Sequence, residues 1–157
     1  PGFGRGIVGT DSHEHDEVGH VQEDFELRRR MVDKRLRKRK GILERVIEPT
    51  MTGPKDYKNL VVTWGSLNHI VEEALEKAGL EGTAHLHFDQ VFPLHPDTRA
   101  YLDKAERVIA IEGNATGQFA DLVRKETGFL IEERVLWYSG LQVPVETVAA
   151  KLLELLR

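Results

Sequence analysis

The chain has 157 residues, of which 40% are hydrophobic and 31% charged, with 22 Lys and Arg against 26 Asp and Glu and a net charge of −4. That is an ordinary soluble composition, and a chain of this size can bury a core without staples or metal. Cysteine is absent, so a disulfide scaffold, a thiolate nucleophile, a Cys-bound zinc and a Cys-ligated iron–sulfur cluster are excluded within the chain.

No apolar run approaches the ~18 residues needed to span a bilayer, and Pro1-Gly2-Phe3-Gly4-Arg5-Gly6 lacks a basic-then-apolar leader pattern. A cytoplasmic location with no membrane partner is expected. With proline first and no Met before it, the chain is expected to be a piece of a longer polypeptide.

Residues 1–23 read as an irregular, glycine-rich lead with an acidic stretch from Asp11 to Glu26. From Arg28 to Lys40, nine Lys and Arg face only Asp33. This stretch reads as a helix whose apolar residues, Phe25, Val32, Leu36 and Leu43, keep to one narrow stripe expected to pack. Residues 1–56 are therefore expected to form a connector with a basic helix. From Tyr57 to the end, short β-branched runs alternate with amphipathic helices. Strands are predicted at Asn59–Trp64, Thr83–Phe88, Arg107–Ile111 and Arg134–Tyr138. Helices are predicted from Leu67 to a stop at Gly79, from Pro96-Asp97 to Ala105, from after Thr116 to Gly128, and from Pro144 onward. Four β-then-α units predict a mostly parallel sheet covered by helices on both faces over residues 57–157.

In open parallel sheets, ligands collect beyond the carboxyl ends of strands, where helix N-termini converge. Two loops have suitable residues: Gly65 and Ser66 after the first strand, with Ser66 as N-cap, and Glu112, Gly113, Asn114, Thr116, Gly117 and Gln118 after the third. Either an anion or a partner's backbone fits there; equally, both can be well-capped helix starts. His13, Glu14, His15, Asp16, Glu17 and His20 offer imidazole and carboxylate. However, His13 and His15 are two apart in a loop rather than four apart on a helix, so no metal is expected. His85 and His87 alternate with apolar residues and are expected on one strand face as structural histidines. No Ser or His sits in a nucleophile motif. The basic helix could meet nucleic-acid phosphates, but it lacks aromatic interleaving, the rest of the chain is strongly acidic, and the pI is about 6.0. No nucleic-acid partner is expected, although phosphate binding by residues 28–40 and a small-anion or nucleotide-binding regulatory module at the two loops stay open as alternatives.

Five motifs in order, Glu14-His15-Asp16-Glu17-Val18-Gly19-His20, Met31 with Lys34-Arg35 and Lys38, Trp64-Gly65-Ser66, Gln90-Val91-Phe92-Pro93, and Glu112 with Asn114, Gly117 and Gln118, span almost the whole chain. Together they resemble the α subunit of 2-oxoacid:ferredoxin oxidoreductases of the 2-oxoglutarate or pyruvate type, in its transketolase C-terminal-like domain. The resemblance implies a three-layer α/β/α fold with a five-stranded sheet. One antiparallel edge strand would come from before Tyr57, near Arg45–Ile47, and Leu60–Thr63 would lie beside Arg107–Ile111, so that the two loops meet in one crevice. It further implies a whole enzyme that decarboxylates a 2-oxoacid on thiamine diphosphate and Mg²⁺, passes electrons through an iron–sulfur cluster to ferredoxin, and makes an acyl-CoA from CoA. The partners would be a β subunit and the remainder of the α subunit. No catalytic residue and no cofactor is expected in this segment, which carries no Gly-Asp-Gly. His13 before Glu14 departs from the family pattern and keeps a metal role for that loop open.

Overall fold

The computed structural model describes residues 13–156; the glycine-rich start, including Gly2 to Gly9 and Asp11, lies outside the described residues. The chain divides into two compact units, one ending at Arg45 and the other starting at Val46.

In the first unit, β1 (Glu14–His15) and β2 (Val21–Gln22) form an antiparallel hairpin, followed by the 19-residue helix α1 (Phe25–Leu43). Asp24 caps α1 by accepting the Leu27 N–H at 2.6 Å. The helix continues through Gly41, because no left-handed residue interrupts it there. The apolar stripe expected to pack is not filled by the described residues of the unit. Leu27 is buried instead, while Phe25 is 87% and Leu36 62% exposed.

The second unit is a five-stranded sheet in the order β3-β5-β4-β6-β7. β4 (Asn59–Trp64), β5 (Thr83–Phe88), β6 (Arg107–Glu112) and β7 (Glu133–Leu136) are parallel, and β3 (Thr50–Thr52) is an antiparallel edge strand beside β5. The edge strand therefore lies at Thr50–Thr52 and not at Arg45–Ile47. Its register, Thr50 opposite His87 and Thr52 opposite His85, pairs it with the His85–His87 part of β5. It also places the segment from Val46 in the sheet unit, ahead of the boundary expected at 56–57.

Alternation along the buried strands sends successive side chains to opposite faces. Leu60, Val62, Leu86, Phe88 and Ala110 pack with α3 (Thr98–Lys104) and α4 (Gln118–Thr127) through Leu102, Phe119 and Val123. Val61, Ile109 and Ile111 pack with α2 (Asn68–Ala78) and α5 (Val145–Leu156) through Val71, Ala74, Val148 and Leu152. The result is a three-layer α/β/α unit. β4 and β6 are neighbours in register, Leu60 beside Val108 and Val62 beside Ala110, as the resemblance implied. The helices that follow these two strands leave to opposite faces, so a crevice opens at their carboxyl ends.

Candidate functional site

That crevice is a cleft of about 550 Å³, to which Ser66 and Gly113 contribute from the two expected loops. Trp64, Leu67 and Ile70 line it beside Ser66, and the facing wall comes from the segment leaving β7, with Trp137, Tyr138 and Leu141. Sequence reading missed this segment. The signal was an aromatic pair followed by Ser139-Gly140 at the end of a parallel strand, where the sheet opens to ligands or partners. Trp137 N–H extends the ladder by donating to Glu112 O at 2.8 Å, and its Nε1–H donates to Leu141 O at 2.8 Å, so the indole holds the loop in shape. Tyr138 and Leu141 are left well exposed.

Ser66 does not cap α2. The chain enters through a 3-10 turn at Gly65–Leu67, with Gly65 at φ 64°, and no side chain caps either helical segment. Gly65 and Ser66 thus shape the entry to the helix and supply no capping oxygen.

The loop after β6 is built differently from a ligand cradle. Glu112 is fully buried, and its carboxylate accepts Phe119 N–H at 2.8 Å, Ala120 N–H at 2.9 Å and Asn114 Nδ2–H at 2.8 Å. Asn114 Oδ1 in turn accepts the N–H groups of Thr116, Gly117 and Gln118 at 3.1, 2.7 and 3.2 Å. The first N–H donors of α4 are therefore engaged by the chain's own side chains, and a buried carboxylate already occupies the place an anion would take at that helix end. Gly117 sits at φ 70°, and a Cβ there would lie 2.7 Å from Arg134 Nη1, whose guanidinium pairs with Asp121 at 2.9 Å. Of the expected crevice residues, Ser66 and Gly113 border the cleft, and Glu112 is buried beneath α4. Asn114, Thr116, Gly117 and Gln118 form the self-capped start of α4.

In the first unit, the loop from Glu14 to His20 is a closed turn. Asp16 Oδ1 accepts Val18 N–H at 3.0 Å and His20 N–H at 2.9 Å, and its Oδ2 accepts Gln22 Nε2–H at 3.0 Å. The His20 N–H, foremost among these donors, holds the Asp16 carboxyl below its usual range. Arg35 grips Glu14 with two bonds of 2.8 and 2.7 Å, and Arg28 stands 3.8 Å away. The Arg35 fork lowers the Glu14 carboxyl to about 2. His13, His15 and Glu17 do not converge with these groups on one point: no cluster of three or more His, Asp or Glu side chains that could hold a metal ion occurs among the described residues. The acidic loop and basic helix thus meet through Glu14 and Arg35. Gln90, from the fourth motif, accepts Ile47 N–H at 3.2 Å through Oε1 and donates to the carbonyls of Phe92 and Pro93, the latter joined by a cis peptide bond.

His85 and His87 share one face of β5, as expected, and both lie within bonding distance of Thr63 Oγ1, at 2.6 Å from His85 Nε2 and 2.8 Å from His87 Nδ1. Burial, with the neighbouring His87, pushes His85 down to about 4, and burial lowers His87 in the same direction.

No protein-family model matches the chain. It is 34% identical over 154 residues to the α subunit of 2-oxoacid:ferredoxin oxidoreductase 1 from Aeropyrum pernix, covering 92% of this chain and 24% of that protein. It is 26% identical over 142 residues to the corresponding subunit from Sulfurisphaera tokodaii, covering 88% and 22%. In fold it is similar to the 2-oxoglutarate:ferredoxin oxidoreductase from Magnetococcus marinus, solved with 2-oxoglutarate, coenzyme A and succinyl-CoA, at a TM-score of 0.74 and 24% identity over 100% of this chain and 28% of that one. The chain spans about a quarter of the length of the curated relatives it matches. Over that span, it belongs to the family of 2-oxoacid:ferredoxin oxidoreductase α subunits.

Proposed function

We propose that the chain is the C-terminal, non-catalytic domain of such an α subunit and serves to assemble it with its β subunit. The whole enzyme would oxidatively decarboxylate a 2-oxoacid to an acyl-CoA in the cytoplasm and pass the electrons to ferredoxin. The observation that carries the family assignment is the 34% identity maintained over 92% of the chain. Support for the non-catalytic role comes from the chain's own residues. No thiolate exists to ligate an iron–sulfur cluster, and the sequence contains no Gly-Asp-Gly. Glu112, which is buried, and Asn114 are consumed in capping α4. Thiamine diphosphate, Mg²⁺ and the cluster do not fit the donors present here and would be held by the enzyme's other domains, with CoA as cosubstrate. Among the described residues, no helix is long and apolar enough to cross a membrane.

The exposed cleft rim of Tyr138 and Leu141 is the assembly surface this role requires. The test uses the 157-residue chain and the full-length α subunit co-expressed with its β subunit. With thiamine diphosphate, Mg²⁺, 2-oxoacid and CoA, viologen reduction is expected from the complex and not from the chain alone. An α subunit cut after Arg45 is expected to lose copurification with β. Turnover by the isolated chain, or undiminished assembly of the shortened subunit, refutes the proposal.

A further inference from the structure

α1 has two apolar aspects, and among the described residues of its unit only one is filled. Leu27 is buried, whereas Phe25, Val32, Leu36 and Leu43 recur at spacings of seven, four and seven. At 100° per residue these four fall within about 20° of one line along the helix, and Leu27 lies roughly opposite. Phe25 and Leu36 are among the most exposed large apolar side chains of the chain, and Val32 is half-buried. Arg29 and Arg39 complete the same heptad seam, at the steps between the apolar positions. A helix of this length, carrying a complete seam that no described element of its own unit covers, is built to receive another surface.

The seam's charges select what covers it. A second copy packed antiparallel, with Phe25 meeting Leu43 and Val32 meeting Leu36, sets Arg29 against Arg39. A parallel pair sets each arginine against its own counterpart. Both arrangements oppose cations inside an apolar contact. The complementary surface is an apolar strip with carboxylates placed opposite the arginines. The family relatives are about four times as long as this chain, which covers 24% and 22% of them, so most of the polypeptide tethered to α1 lies outside it, at the high effective concentration a covalent link provides.

We propose that the Phe25–Val32–Leu36–Leu43 seam of α1 docks on an acid-edged apolar strip in the rest of the same α subunit, making the helix an intrasubunit clamp. This rests on the assignment of the chain to that subunit but not on the assembly role of the sheet unit. In the assembled full-length complex, Phe25 is replaced by p-benzoylphenylalanine and irradiated, and the cross-linked peptides are identified by mass. The expected product joins position 25 to α-subunit residues outside this segment, with its yield reduced by Arg29→Glu and retained by Arg29→Lys. A cross-link to the β subunit, to a second α subunit or to residues 46–157, or no cross-link in a complex that still turns over, overturns the proposal. The copurification and turnover assays read the assembly role separately, so either can fail without the other.

Discussion

Lowering the pH should unfasten the sheet unit through His85 before any carboxylate effect begins. Its ring is 1% exposed and held under α2, with Thr63 Oγ1 at 2.6 Å from Nε2. Of the groups that act on it, His87 opposes protonation, while Glu72 on α2 weakly favours it. His87 has Asp89 at 3.6 Å from its Nε2, and His69 on α2 opposes its protonation. The Thr63 hydroxyl has one proton to give, so it donates to one imidazole and accepts from the other. With Thr63 donating to His87 Nδ1, the His87 Nε2–H faces the Asp89 carboxylate and the His85 Nε2–H donates to Thr63, which leaves only the His85 Nδ1 lone pair without a partner among the described residues. A proton added to that nitrogen would be buried beside a second imidazole.

The sign follows from linkage. The folded-state value lies below the unfolded one, so stability is fully present above about 6.5, falls as the unfolded state takes up its proton, and is lost by the time pH has dropped through the folded value near 4. At ~1.36 kcal/mol per pH unit, the displacement from 6.5 to about 4 amounts to about 3 kcal/mol, a large part of the margin of a domain this size. Glu14, held down at about 2, acts in the opposite unit and only below about 4.5, so the two windows barely overlap. Urea denaturation of the chain and of His85→Gln at several pH values between 7.5 and 4, followed by sheet-unit tryptophan fluorescence, reads the difference. The variant is expected to start less stable at pH 7.5 but to lose about 2–3 kcal/mol less on descent to pH 4. Parallel curves for the two proteins would refute the buried-imidazole account.

Glu112→Ala leaves the Phe119 and Ala120 N–H groups buried without acceptors and should destabilise the sheet unit by about 2–4 kcal/mol, measured by urea denaturation at pH 7; a loss below about 0.5 kcal/mol would mean that the helix start is not held by this carboxylate. Gly117→Ala faces both φ 70° and Arg134 Nη1 at 2.7 Å and should cost about 1–3 kcal/mol, with Arg134→Ala in the same chain recovering part of it if the guanidinium is the obstacle. Asp16→Ala removes the acceptor of Val18 N–H, His20 N–H and Gln22 Nε2–H and should accelerate amide exchange at Val18 and His20, with no change at Leu60–Thr63; unchanged exchange at His20 would show that the turn closes without it.

Local pattern was enough for the α/β unit. The β-branched runs at Asn59–Trp64, Thr83–Phe88 and Arg107–Ile111 are buried on both faces and flanked by amphipathic helices that stop at Gly79 and Gly128, each in the left-handed conformation. Such strands and stops are written in a dozen neighbouring residues, and the family motifs span both units in chain order. What local pattern could not carry was every feature decided by partners distant in sequence. The edge strand falls at Thr50–Thr52 because β5 offers an unpaired edge there, 30-odd residues on, and Arg45–Ile47 has no such partner. The loop from Glu112 to Gln118 resembles an anion cradle in one dimension, but folding turns the Glu112 carboxylate inward beneath α4, where it takes the N–H groups that made the loop look available. The apolar stripe of α1 is legible as a seam, yet the described part of its unit buries Leu27 instead, since a two-stranded hairpin of two residues per strand is too small to cover both sides of a 19-residue helix. Periodicity determines which side chains share a face, and only the tertiary structure decides which of those faces is filled.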